Sequence, residues 1–245
     1  MPAALVHGVP ETAAVWDPLR AELARDDVVA PQLPGFGCPW PDGFGATKEE
    51  YAAWLVDEVA AIDGPVDLVG HDWGGGLVNR LVSTRPELVR SWVTDVPGLT
   101  APGFEWHDIA KLWQTPGDGE AFFEAQLAMS VDERVALLGG AGIPERGVRA
   151  VAEAVDQTMA DSILTLYRSA VDVGDEWGPE FQDIPKPGLV VIAPEDGLSN
   201  PERAEAAAAR AGATVHRLDG LAHWWLLEDP GRGARMLEDF WSSLR

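Results

Sequence analysis

Three side chains in this 245-residue sequence have the types and the order to do covalent chemistry. Asp72 stands in Gly70-His71-Asp72-Trp73-Gly74, Asp196 in Ala193-Pro194-Glu195-Asp196-Gly197, and His223 in Gly220-Leu221-Ala222-His223-Trp224. A carboxylate such as Asp72 is ionised at neutral pH and can displace a leaving group from saturated carbon without a base to activate it. The histidine is then free to take a proton from water, while the second carboxylate orients the imidazole and stabilises its cation. Carboxylate attack on an ordinary ester would exchange one acyl group for a more reactive anhydride, so the set argues against esterase or lipase chemistry.

These residues need elements to hold them. Residues 66–80 read VDLVGHDWGGGLVNR, a buried strand running through glycines into a helix, which puts Asp72 at the apex of a sharp turn. His7-Gly8-Val9-Pro10 follows the first apolar run and brings the Val9 N–H where it can pair with that of Trp73 around an oxyanion. Strands are expected at Ala3 to Val6, Val28 to Ala30, Val66 to Val69, Trp92 to Val96, Leu189 to Ala193 and Thr214 to Leu218. Helical patterns alternate with them: Thr47 and Glu50 make a capping box, and Asn200 and Asp229 each precede a proline suited to a first helical turn. The alternation lapses between about Thr100 and Pro185, where helices follow one another up to the return Ile184-Pro185-Lys186-Pro187. Ser130 with Glu133 starts one of these helices, and Val151, Val155, Met159, Ile163, Leu166 and Ala170 form an apolar stripe expected along another. The expected layout is an α/β core of residues 1–99 and 186–245, with a helical cap, residues 100–185, inserted into it.

Composition narrows the function. The formal net charge of −22 repels phosphate backbones and anionic headgroups, so nucleic acid and membrane surfaces are not expected partners. Cys38 is the single cysteine, and neither a metal-ligand cluster, a GxGxxG fingerprint nor a P-loop lysine occurs, so no cofactor or metal is expected. No apolar run approaches the length of a membrane span and no N-terminal leader pattern is present, which makes the cytoplasm the default location.

Taken together, the HGxP loop, the GHDWGG turn, the late Asp and the late His resemble the α/β-hydrolase superfamily, in the branch of epoxide hydrolases and haloalkane dehalogenases. The resemblance implies an α/β-hydrolase fold with a mostly parallel sheet. Two antiparallel strands usually precede the HGxP loop in this family, and six residues precede His7 here, so about six strands are expected. The resulting sheet edge would invite pairing with a second copy of the chain as a homodimer. The resemblance implies a covalent alkyl ester on Asp72, hydrolysed by water that His223 and Asp196 activate, with Val9 and Trp73 receiving the oxyanion. Asp95 and Glu195 are the alternative acids.

The resembling enzymes differ at the leaving group. Epoxide hydrolases use two cap tyrosines as proton donors. Tyr167 is similar to one, Ile109 stands where the other is expected, and His107 or Trp113 would have to replace it. Haloalkane dehalogenases hold the halide with indole N–H groups, for which Trp73 and then Trp106 or Trp113 are candidates, although Val9 stands where some of them carry asparagine. Haloacid enzymes resembling fluoroacetate dehalogenases carry arginines where Trp73 and Gly76 stand. Trp224 and Trp225 either line the pocket or pack beneath it. His7 and His71 read as loop-packing residues, His216 as part of a strand, and His107 as a cap surface residue unless it replaces the tyrosine. The reading ranks hydrolysis of an apolar epoxide to a diol first, from a small apolar substrate and water. Dehalogenation comes second, and a ligand-binding protein without turnover is the reading from a different class.

Overall fold

The computed structural model describes residues 2–244. Six parallel strands, β1 (Ala3–Val6), β2 (Val28–Val29), β3 (Val66–Gly70), β4 (Val89–Thr94), β5 (Gly188–Ile192) and β6 (Thr214–Arg217), form one sheet in the order β2-β1-β3-β4-β5-β6. Alternate strand residues enter two separate cores. Ala4, Val6, Val66, Leu68, Val190 and Ile192 pack on one face, and Ala3, Leu5, Val69, Leu189 and Val191 on the other. Burial on both faces is why the inner strands read as unbroken apolar runs.

Before β3 come α1 (Asp17–Arg20) and α2 (Lys48–Ala60), and α3 (Trp73–Thr84) follows it. Six helices lie between β4 and β5: α4 (Asp108–Gln114), α5 (Asp118–Leu127), α6 (Val131–Gly140), α7 (Glu145–Ala154), α8 (Gln157–Ser169) and α9 (Val173–Trp177). The chain ends with α10 (Pro201–Ala211) between β5 and β6, then α11 (Trp225–Glu228) and α12 (Pro230–Ser243). Among the described residues no helix is long and apolar enough to cross a membrane. The capping boxes at Thr47 and Ser130 form as the sequence predicts, and the Asn200 and Asp229 side chains accept from the N–H groups of Arg203 and Arg232.

Two expectations are corrected. The fourth strand is Val89–Thr94 rather than Trp92 to Val96, which puts Asp95 just beyond the sheet, where its carboxylate is free of the ladder. The apolar stripe from Val151 to Ala170 does not run along one helix. Val155 is extended, with ψ of 110°, and the Asp156 side chain accepts from the Met159 N–H at 2.8 Å, starting α8 afresh. Val151 consequently joins the core with Trp224 and Trp225, whereas Val155, Met159, Ile163, Leu166 and Ala170 join the core with Trp73. A lost cap of this kind costs about 1 kcal/mol. Asp156→Ala should lower the urea midpoint by a corresponding amount with an unchanged slope, and an unshifted midpoint would mean that the cap contributes nothing to the break between α7 and α8.

Candidate active site

Strand β3 turns into α3 with Asp72 alone at the corner beyond His71, and its backbone takes φ 50° and ψ −125°, a conformation sparsely populated by residues with a side chain. The turn closes only because its neighbours lack side chains. A Cβ on Gly74 would strike the carbonyl oxygen of Val6 in β1, and one on Gly8 would strike the Cβ of Asp72. Glycine at both positions therefore lets the loop after β1 press directly on the Asp72 side chain.

That approach fixes the carboxylate. The Val9 N–H donates to Asp72 Oδ1 at 2.8 Å, so one of the two expected oxyanion donors already rests on Asp72 itself, and the other, the Trp73 N–H, belongs to the first residue of α3 directly after it. The second oxygen, Oδ2, lies 3.7 Å from His223 Nε2. The other ring nitrogen, Nδ1, is 3.0 Å from Asp196 Oδ2, and Asp196 Oδ1 accepts from the Leu198 N–H. Asp72, His223 and Asp196 are thus brought together in the order the sequence predicts. Glu195 is exposed and turned away from this contact. Asp95 is engaged elsewhere, with His71, the Asp72 N–H and the Trp225 indole.

Environment separates the three groups electrostatically. Burial raises the Asp72 carboxyl above its ordinary range, against the opposing charges of His223 and His71. Burial would also raise Asp196, but the hydrogen bond and charge of His223 outweigh it and hold that carboxyl low. Burial alone would lower His223; the Asp196 hydrogen bond and the Asp196 and Asp72 charges overcome this and raise it.

A cavity of about 350 Å³ opens above Asp72 and His223. Trp73, Leu99, Phe104, Trp106 and His107 supply much of one wall, and Leu198, Ser199, Asn200 and Arg203 supply another. Of the expected substrate contacts, Trp73, Trp106 and His107 line it. Ile109, Trp113 and Trp224 do not. Ile109 is half-buried against the core, and Trp113 is buried against Phe122, Phe123 and Tyr167. Trp224 points away to donate to Glu11 at 2.5 Å. Tyr167 lies one layer back, its ring against those of Trp73, Trp106 and Trp113. Burial and then the Asp72 charge push its phenol well above the ordinary tyrosine range.

The donors are also sorted. Trp106 Nε1 is committed to the Ala170 carbonyl at 2.9 Å, which removes it as a leaving-group donor. Trp73 Nε1 is buried with no acceptor among the described residues. His107 caps α4 by accepting the Ala110 N–H at Nδ1, so its proton sits on Nε2. Burial and then the His223 charge keep His107 neutral by lowering it further. The sequence reading missed Ser199, Asn200 and Arg203, although a helix start directly after the Asp196 loop, at the carboxyl end of a parallel strand, is where such lining is found.

The model of the alpha/beta hydrolase family matches residues 4–235. The chain belongs to this family. Within the alpha/beta hydrolases it is 35% identical over 107 residues to Lipase LipV of Mycobacterium tuberculosis, covering 42% of this chain and 40% of the lipase. It is 31% identical over 106 residues to the soluble epoxide hydrolase of Corynebacterium sp., covering 42% of this chain and 37% of that enzyme. The matched stretch is therefore well under half the length of either relative. Among solved structures, an epoxide hydrolase of Vigna radiata superposes with a TM-score of 0.78 at 19% identity over 99% of this chain and 91% of that one. A haloalkane dehalogenase of Bradyrhizobium elkani USDA94 does so with a TM-score of 0.71 at 21% identity, covering 99% and 91%. These two share the alpha/beta hydrolase fold with the chain.

The pairing of His223 with Asp196 has a direct test. Asp196→Asn removes the interactions that hold the His223 proton, so the imidazole should titrate at lower pH than in the unsubstituted protein, read by NMR of the ring. An unmoved titration would show that Asp196 does not govern His223.

Proposed function

We propose that the protein is a hydrolase that forms a covalent ester on Asp72 and that its substrate is a small epoxide. The observation that carries the reading is the asymmetric environment of the Asp72 carboxylate: Oδ1 is gripped by the Val9 N–H at 2.8 Å, while Oδ2 faces the cavity beside His223 Nε2. The free oxygen attacks an epoxide carbon, the C–O bond of the ring breaks, and its electron pair goes to the ring oxygen, which takes a proton from His107 in the wall or from Tyr167 in the layer behind it. Water then adds to the ester carbonyl as His223 accepts its proton, and Asp196 stabilises the imidazolium. Oδ1 is already held by the Val9 N–H, one of the amides that would carry the developing oxyanion. The bond between the carbonyl carbon and the alkyl oxygen then breaks, that oxygen takes the proton from His223 to release the diol, and the remaining proton of the added water restores the donor spent on the ring oxygen, which leaves Asp72 a carboxylate.

Two donors support an epoxide oxygen as the leaving group. Tyr167 keeps its phenolic proton, and His107, with its proton on Nε2, answers the tyrosine that Ile109 replaces. A second reading, dehalogenation, is favoured by one observation, the buried Trp73 indole N–H that lacks an acceptor beside Asp72. It lacks the usual second indole, because the Trp106 N–H is spent on Ala170.

Intact mass of the His223→Gln variant decides between the readings. After exposure to styrene oxide an adduct should remain on Asp72, because the water step is blocked; 1-bromobutane should leave none. A butyl adduct would make the protein a dehalogenase, and no adduct from a broad panel of either class would reject the covalent reading in favour of ligand binding. On an epoxide that is turned over, Tyr167→Phe should reduce kcat by about 100-fold or more, the range of general acid catalysis; an unchanged kcat would remove Tyr167 as the donor.

A further inference from the structure

Beneath the candidate triad lies a second group of titratable side chains that the proposed reaction does not use. Glu11 and His71 are 0% exposed and Asp95 is 8% exposed. His71 Nδ1 is 2.5 Å from Asp95 Oδ2, and its Nε2 is 3.1 Å from Glu11 Oε1. The remaining contacts of both carboxylates are with N–H donors. Glu11 Oε1 also accepts from the Trp224 indole at 2.5 Å and Oε2 from the Gly8 N–H at 3.1 Å. Asp95 Oδ2 also accepts from the Trp225 indole at 2.8 Å and Oδ1 from the Asp72 N–H at 3.0 Å. An ionised carboxylate only accepts, so two of them facing the two ring nitrogens require a proton on each. His71 is therefore an imidazolium.

The partners of this group are the chain segments that build the site. Glu11 holds the loop carrying Val9 through Gly8, Asp95 holds the turn carrying Asp72 through its own N–H, and the two carboxylates hold the residues directly after His223 through Trp224 and Trp225. The ring of His71 lies 4.8 Å from that of His223. We propose that Glu11, His71 and Asp95 are positioning residues, a buried ionic clamp that fixes these three loops together and places a permanent positive charge behind the Asp72–His223 pair.

The charge acts on both members of the pair in the same direction. It opposes protonation of Asp72, countering the burial that favours it, and opposes protonation of His223, countering Asp196. The charged or titratable groups around His71 are Glu11, Asp95, His223, Asp72, Asp196 and His7. His7 does not compete, because burial pulls it down to about 4 and its Nε2 accepts from the Leu33 N–H. Glu11, which burial alone would raise, is drawn down to about 2, chiefly by the His71 charge. In the terms of the proposed function, the clamp keeps Asp72 a carboxylate and leaves His223 able to accept the proton of water. The inference rests on that function for its catalytic meaning, but its test reads protonation and not turnover.

The test is NMR of the full chain with 15N-labelled histidine rings. His71 should show both ring nitrogens protonated at neutral pH and should lose a proton only at a pH above that at which His223 titrates. Glu11→Gln and His71→Gln should then move the His223 titration in opposite directions. Loss of the Glu11 charge lowers it, and loss of the His71 charge raises it by at least about one pH unit, as expected for a like charge at this separation. Loosened packing alone would not produce shifts of opposite sign. A neutral His71 near pH 7, or shifts of the same sign or none, overturns the proposal. If His71→Gln does not fold, the unsubstituted protein and Glu11→Gln still decide it. These arms are independent of the Asp72 adduct: opposite shifts with no adduct would leave the clamp standing and reject only the covalent reaction.

Discussion

The site depends on the crowding of backbone around Asp72. A strand that becomes a helix across two residues, His71 and Asp72, leaves no room for side chains on the inside, so Gly74 meets β1 and Gly8 meets Asp72 itself. The positive φ of Asp72 costs on the order of 1–3 kcal/mol and persists only where its surroundings hold it. Those surroundings are visible: its N–H is tied to Asp95 at 3.0 Å, one carboxylate oxygen to Val9, and the Gly76 N–H returns to the Asp72 carbonyl at 3.1 Å as the helix begins. The strain is what lifts the carboxylate out of the sheet and into a cavity.

Around that corner the protein collects buried carboxylates, and their neighbours differentiate them. Asp72 has one backbone amide and a cavity, Asp196 has an imidazole and one amide, and Glu11 and Asp95 share an imidazolium and two indoles. A buried charge without such partners would neutralise itself by binding or losing a proton. A chain with a formal charge of −22 could have buried any of its 40 acidic residues. Those gathered here are distinguished by the donors already waiting for them.

The alternation of strand and helix, the capping boxes and the order of Asp72, Asp196 and His223 were legible because each is written in local spacing. What stayed hidden depended on contacts far apart in the chain. His71 reads as a packing residue beside Asp72 until Glu11 and Asp95, 60 and 24 positions away, close on its two nitrogens. Trp106 and Trp73 look equivalent as indole donors until Ala170 takes the proton of one. The split between α7 and α8 was signalled by Asp156, but an unbroken apolar stripe concealed it, because the period of a helix continues across a break whose two sides face different cores.

Helices α8 and α9 are fastened to the rest of the molecule at several places. Trp40 donates to Ser162 and the Lys48 N–H to Ser169, both on α8, while Lys48 pairs with Glu176 and the Trp177 indole donates to Glu49. The rim of the cavity is different, since Glu105, Gly197, Leu198 and Arg203 are exposed. Admission of a molecule is thereby assigned to residues on which folding scarcely depends. Exchange at these positions can widen, narrow or recharge the doorway while the corner at Asp72 stays as it is, so the range of molecules accepted can diverge between descendants of this chain long before the chemistry does.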